Sequence, residues 1–325
     1  MGDTSARPVA AIDCGTNSTR LLVMDEDGTV LERQMRITRL GEGVDASHTL
    51  SRPAVDRTVS VLEDYRGLMD LHRVGRARLV ATSAARDATN AEEFLSAARQ
   101  ATGIRPEILS GREEGALSFA GATAHIADVP VGPGPVLVVD IGGGSTELVV
   151  GELAPGGVAT TGSATAHRAA VSAASLDVGC VRVTERFLHG DPPRAEELSE
   201  ARRTVCAQLS GALAELPPLR HGGLLIGLAG TVSTLAALDG GLRDYSRAAI
   251  HHVVLDRATV QFWLAALAGE DSRARLARPG MVEGRADVIV GGVLILDAVM
   301  DVFDRHECVV SEDDILDGMA ATLLL

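Results

Sequence analysis

The chain has 325 residues, 46% hydrophobic and 23% charged, which is enough for one large core or two ordinary ones and unlike disordered, collagenous or coiled-coil chains. With 30 basic residues against 44 acidic ones, the formal net charge of -14 turns duplex nucleic acid and anionic lipid away, so any polyanion must meet a local patch. All 30 basic residues are arginine, and the lack of lysine excludes a phosphate-loop lysine, a kinase strand lysine and Schiff-base chemistry.

Cys14, Cys180, Cys206 and Cys308 are scattered, with no metal-finger spacing, and read as reduced thiols. The first nine residues lack a signal-peptide pattern, and no run approaches the ~20 apolar residues of a membrane span. A soluble cytoplasmic protein without a membrane partner is expected. Aromatic residues make up 2% of the chain, too few for stacking platforms, so nucleic acid is not an expected partner.

In chain order, the first feature is an internal repeat. Residues 9–23 (VAAIDCGTNSTRLLV) align without gaps on 136–150 (VLVVDIGGGSTELVV), each reading as strand, Asp, glycine-bearing polar turn and strand. Two halves of related design follow, with a cleft between them. Ser51 and Pro53 start a helical pattern that stops near Gly75. Residues 78–82 read as a buried strand, Asn90 as the cap of a helix ending near Gly103, and 107–109 as a short strand. From Arg112 a helix runs to the Pro/Gly segment at 129–135, which ends it. The lobe boundary is placed there, giving lobes 1–130 and 131–325 of an α/β fold.

In the second lobe, the Ala/Ser/Thr/Gly-rich stretch 155–175 reads as a loop or a loose edge hairpin. Helices are expected near 181–188 and 194–216, a strand at 224–228, a helix opened by Gly230 and Thr231, and an apolar helix at 288–302 containing Gly291 and Gly292. A short strand at 308–310 and a terminal helix capped by residues 311–314 complete the pattern.

Glycine turns after apolar strands suit phosphate, because exposed N–H groups converge with no Cβ in the way. Gly142, Gly143, Gly144 and Ser145 form the stronger example. An ordinary tight hairpin explains either turn alone, but two in register can grip phosphates from opposite walls. Asp13 and Asp140 end their strands facing whatever the turns hold. Carboxylate against phosphate needs a cation, for which Mg2+ or another divalent ion fits, with Glu147 joining through water. Each acid could instead cap its own turn.

Ser110 and Glu113 read as a capping box, whereas Glu114, in the first helical turn, should be held ionised by the helix dipole and could orient a water. Arg20, Arg86 and Arg112 are candidates for gripping phosphate, although surface arginines are commonly just solvated. His251 and His252 lack a third ligand at zinc spacing and read as core or interface residues.

Segments 13–18, 81–90, 110–114, 140–147 and 227–231 together resemble the exopolyphosphatase and guanosine pentaphosphate phosphohydrolase family, in an order that covers almost the whole chain. The resemblance implies two ribonuclease-H-like lobes of the superfamily of sugar and acetate kinases, actin and heat-shock chaperone ATPases. It also implies a water-activating role for Glu114 and a divalent-cation role for Asp140 and Glu147. Two phosphate loops, at Gly15, Thr16, Asn17 and Ser18 and at 142–145, follow in the same way. Gly230 and Thr231 match a third loop that lies near the nucleoside in ATP-binding relatives, Arg86 matches a cleft-wall arginine, and a homodimer is suggested.

Gly115 stands where alanine is common, stretch 155–175 looks like a lineage-specific loop without a catalytic part, and the length fits short two-lobed members. The expected activity is release of orthophosphate from polyphosphate or guanosine pentaphosphate. A non-catalytic alarmone sensor is disfavoured by the pairing of Asp13 with Glu114. A small-molecule kinase is disfavoured by segment 110–114 and by the lack of a recognisable acceptor domain.

Overall fold

The computed structural model describes residues 7–126, 129, 134–152, 172–216, 218, 219 and 223–325. In the first half, β1 (Val9–Cys14), β2 (Ser18–Met24), β3 (Val30–Ile37), β4 (Arg76–Ala81) and β5 (Glu107–Ile108) form a sheet of order β3-β2-β1-β4-β5. β1, β2 and β3 are antiparallel neighbours, whereas β4 and β5 add in parallel. The helices are α1 (Val44–Ser47), α2 (Arg52–Leu71), α3 (Ser83–Asp87), α4 (Ala91–Thr102) and α5 (Gly111–Ala124).

The second half repeats the path. β6 (Val136–Ile141), β7 (Thr146–Gly151), β8 (Ser172–Leu176), β9 (Leu224–Leu228), β10 (Val254–Asp256) and β11 (Glu307–Val310) give the order β10-β11-β9-β6-β7-β8. β6, β7, β8, β9 and β11 stand where β1 to β5 stand in the first sheet, with β10 an added antiparallel edge. Around this sheet lie α6 (Cys180–Phe187), α7 (Ala195–Glu215), α8 (Ala229–Asp239), α9 (Arg247–Ile250), α10 (Arg257–Ala268), α11 (Ser272–Leu276), α12 (Ile289–Val302) and α13 (Ile315–Leu324). The two lobes are ribonuclease-H-like, and among the described residues no helix is long and apolar enough to cross a membrane.

Strand alternation decides where the acidic residues point, because successive side chains face opposite sides of a sheet. In β1, Ala10, Ile12 and Cys14 enter one core with Leu62, Tyr65 and Phe94 of α2 and α4. Val9 and Ala11 enter another, with Ile315, Leu316 and Met319 of α13. In β6, Leu137, Val139 and Ile141 join the core of α7, α8 and α12, whereas Val136 and Val138 pack with Phe119 and Ala122 of α5. Full burial of each such aliphatic side chain contributes about 1.5–3 kcal/mol. Asp13 shares its parity with Val9 and Ala11, and Asp140 with Val136 and Val138, so each projects from the face covered by a helix from the other half of the chain.

Those two helices cross with their backbones in contact. A Cβ on Gly121 of α5 would lie 1.9 Å from the Asp314 carbonyl oxygen, and one on Gly318 of α13 would lie 2.1 Å from that of Leu117. Ser51 caps α2 as its position suggests, but Asn90 does not cap α4 with its side chain. Its amide instead bonds both backbone groups of Leu50, at 2.8 and 3.0 Å. Gly291 and Gly292 serve packing within the chain, against Cys180 and Thr184 and against Thr231. The 130/131 boundary lies outside the described residues, as does most of stretch 155–175, whose described end forms β8.

Candidate active site

The two turns are built alike. Gly15 N–H donates to the Ser18 carbonyl at 3.0 Å, and Gly142 N–H to that of Ser145 at 3.0 Å. The remaining turn carbonyls are held from behind by the segment that follows the third strand of each sheet. In the first lobe, Thr38 and Arg39 N–H donate to the Asn17 carbonyl at 3.1 and 3.0 Å, and Gly41 N–H to that of Thr16 at 2.9 Å. In the second, Cys180 N–H reaches the Gly142 carbonyl at 2.9 Å, Val181 and Arg182 N–H reach that of Gly143 at 2.9 and 3.2 Å, and Arg182 Nε reaches that of Gly144 at 2.8 Å.

The amides of Thr16, Asn17, Gly143 and Gly144 find no acceptor among the described residues. Such paired, free N–H groups make an anion cradle. The turns also touch. A Cβ on Gly143 would lie 2.9 Å from Thr16 Cβ, and one on Gly144 would lie 2.5 Å from Ser83 Oγ, so larger residues would wedge the lobes apart.

The cleft between the lobes encloses about 820 Å³, counting its open mouth. Asp13, Gly15, Thr16, Asn17, Ser18 and Arg20 line one wall, and Asp140, Gly142, Gly143, Gly144 and Ser145 line the other. Glu114, Gly230 and Thr231 also line it. Arg86 and Glu147 lie one contact behind, with Arg86 Nη1 donating to Glu114 Oε2 at 2.6 Å and Nη2 standing 4.0 Å from Glu147 Oε1. Arg112 is exposed and does not line the cleft. His251 and His252 stack at 3.7 Å, away from the cleft lining, where His251 Nδ1 accepts the Glu312 N–H.

The two aspartates have opposite surroundings. Asp13 pairs across the hairpin with Arg20, which donates to Oδ2 from Nη2 at 2.6 Å and also binds Asp314. The sequence led to a divalent cation for Asp13, yet arginine supplies a resident charge there. Asp140 faces Glu147 in the same register. Ser118 of α5 donates to Asp140 Oδ2 at 2.7 Å, and Ser175 of β8 donates to Glu147 Oε1 at 2.8 Å. Stretch 155–175 thus does reach the site, through its last residue.

Burial pushes Asp140 up to about 6 and Glu147 well above the usual carboxylate range, the latter helped by the nearby Glu114 charge. Glu114 itself is pushed up to about 7 by burial, against the pull of Arg86. The helix dipole expected to keep it ionised is therefore outweighed by desolvation. The capping box of Ser110 and Glu113 is formed.

Asp13 Oδ1 and Glu147 Oε2 are buried without a hydrogen-bond partner, the condition a hard cation would relieve. Among the described residues, no three metal-ligating side chains come close enough to hold an ion by themselves.

Arg285 was not singled out from the sequence. Its half-buried side chain lines the cleft beside Gly230, donating to the Gly230 carbonyl at 2.8 Å and to Thr234 Oγ1 at 3.0 Å. Only tertiary structure brings it there, since it lies 55 residues from Gly230 in the chain. Thr82 and Ser83, between β4 and the start of α3, and Ala229, which holds a left-handed φ of 69°, also line the cleft; the sequence marked them only as members of segments 81–90 and 227–231, with no site role. A non-glycine residue in that region costs about 1–3 kcal/mol and is concentrated at functional sites.

Comparison with known proteins places the chain among relatives of the same length and fold. Exopolyphosphatase 2 of Mycobacterium tuberculosis is 40% identical over 331 residues, covering 97% of this chain and 98% of that protein. The guanosine-5'-triphosphate,3'-diphosphate pyrophosphatase of Vibrio vulnificus is 30% identical over 97% of this chain and 59% of its own length. The crystal structure of an exopolyphosphatase-like protein superposes with a TM-score of 0.88 at 33% identity, covering 98% of this chain and 100% of that one. The profile of the Ppx/GppA phosphatase family matches residues 22–325, and the chain belongs to that family.

Proposed function

We propose that the chain is a hydrolase of terminal phosphoanhydride bonds, releasing orthophosphate from inorganic polyphosphate, guanosine pentaphosphate or both. The observation that carries this reading is the pair of turns whose carbonyls are held from behind, leaving amides free at a cleft that Glu114 lines. Further support comes from the names of the mycobacterial and Vibrio relatives.

The free amides of both turns, with Arg20 and Arg285, bind the terminal phosphoryl groups and meet the charge that builds on their oxygens. Glu114 accepts a proton from the attacking water, and Arg86 fixes the orientation of its carboxylate. Asp140 and Glu147 would hold a divalent cation, Mg2+ in this reading, which would offset phosphate charge. The closely packed turns exclude bulk water from the reacting phosphoryl. A cytoplasmic location is supported by the four unpaired thiols, three of them buried. A homodimer rests on the family resemblance alone.

The test is incubation of the purified chain with polyphosphate or guanosine pentaphosphate and Mg2+, without any acceptor, followed by measurement of orthophosphate. Release from either substrate is expected. Binding without release would favour a sensor, and transfer of the phosphoryl group to an added acceptor with no orthophosphate released would favour a kinase.

A further inference from the structure

One side chain joins the second turn to two helices of the opposite lobe. Arg182, in the first turn of α6, donates from Nε to the Gly144 carbonyl at 2.8 Å, from Nη1 to Asp45 Oδ1 of α1 at 2.8 Å, and from Nη2 to Asp87 Oδ2 at the end of α3. Its side chain is 11% exposed, and those of Asp45 and Asp87 are 13% and 27% exposed. α1 and α3 belong to the first lobe, where Val44, Ala84 and Ala85 join its core. Arg186 adds a second bond to Asp45 Oδ1 at 2.5 Å, and Glu185 accepts the Gly43 N–H at 3.1 Å. Arg182, Asp45 and Asp87 do not line the cleft.

We propose that Arg182 is a positioning residue that couples closure of the lobes to the orientation of the Gly144–Ser145 peptide. A planar guanidinium satisfies three acceptors at fixed angles, so holding two of them in the first lobe fixes the third. With the lobes together, Asp45 and Asp87 hold the fork against the Gly144 carbonyl, and this peptide of the phosphate turn is locked. With the lobes apart, both carboxylates withdraw and the lock is lost. The complete cradle then exists only in the closed molecule, so a phosphate chain entering an open cleft is not attacked until the lobes meet on it. The kinetic part rests on the phosphohydrolase reading; the geometric part does not.

The test compares Arg182→Gln, Arg182→Lys, the pair Asp45→Asn with Asp87→Asn, and the triple combination of Gln with both Asn changes. Inorganic triphosphate with Mg2+ serves as substrate. Interlobe distance is read from spin labels at the exposed Ser96 and Gln261, with Cys206→Ser as background. The Asp pair is expected to lower kcat about tenfold, with KM moving less than threefold, and to lengthen the interlobe distance in substrate-free protein. Arg182→Gln matches it, the triple is no worse than either, and Arg182→Lys does not restore kcat, because an ammonium lacks the planar fork.

An Asp pair with parental kcat overturns the coupling, whatever Arg182→Gln does, since Arg182 would then act within its own lobe. An unchanged interlobe distance overturns it as well. Should the parent release no phosphate, the hydrolase reading fails by itself, and the distance measurement still decides whether the clasp holds the lobes.

Discussion

The two glycine turns share a backbone and differ in charge. Each carries the same closing bond, from Gly15 to Ser18 and from Gly142 to Ser145, and each has its carbonyls taken by the segment after the third strand. At one cross-strand position they diverge, with Arg20 facing Asp13 and Glu147 facing Asp140. The repeat thus keeps the backbone turn and changes the residue that faces the acid. In the first turn Arg20 is shared between Asp13 and Asp314, whereas the second keeps two buried carboxylates together, the place where the proposed divalent cation would sit.

Removing the charge at that shared position should have opposite consequences in the two lobes. Arg20→Gln leaves Asp13 buried without its partner and is expected to cost about 3–5 kcal/mol of stability, measured by urea unfolding. An unfolding midpoint equal to the parent's would show that Arg20 does not balance Asp13.

Glu147→Gln should stabilise the metal-free protein at alkaline pH, measured by urea unfolding, because it removes a buried carboxylate whose ionisation burial and the nearby Glu114 charge oppose. The sign follows from a folded pKa above the unfolded one. The stability associated with protonated Glu147 is present below about pH 4.3 and is lost as pH rises through the folded value. The same substitution should weaken Mg2+ binding by on the order of 10²-fold by calorimetry. A destabilised variant, or one with parental affinity, would erase the contrast between the lobes.

A smaller effect sharpens the roles of Arg86 and Glu114. With Glu114 pushed up to about 7 by burial, its basic form is lost as pH falls, so kcat/KM should decline on the acid side with a midpoint at or below about 7, since a bound cation favours the ionised form. Arg86→Gln removes the guanidinium that holds this value down and should move the acid limb upward. A limb that stays in place would separate Arg86 from Glu114.

Much of this contrast was readable in the sequence, because the repeat aligns Arg20 with Glu147 residue for residue, and β1, β2, β6 and β7 follow the aligned segments. The strand at 224–228 was likewise legible from its apolar run between loops. Less legible was β3, an edge strand whose residues are half-buried or exposed and show no apolar alternation. β8 hides in Ala/Ser/Thr-rich sequence for a similar reason, as its pairing with β7 rather than its composition makes it a strand. Arg182 and Arg285 carried no local signal. Their partners Asp45 and Gly230 lie 137 and 55 residues away, so only the folded chain gives these arginines a role. The dipole argument for Glu114 weighs only the helix end and leaves out burial, which pushes this carboxyl up.

The most direct measurement is orthophosphate release by Glu114→Gln beside the parent chain, with substrate affinity measured on both. The substitution keeps size and hydrogen bonding while removing the base. Turnover should fall by on the order of 10²-fold or more, with affinity within a few-fold of the parent. Parental turnover by a folded Glu114→Gln protein would contradict the assignment of Glu114 as the group that activates water.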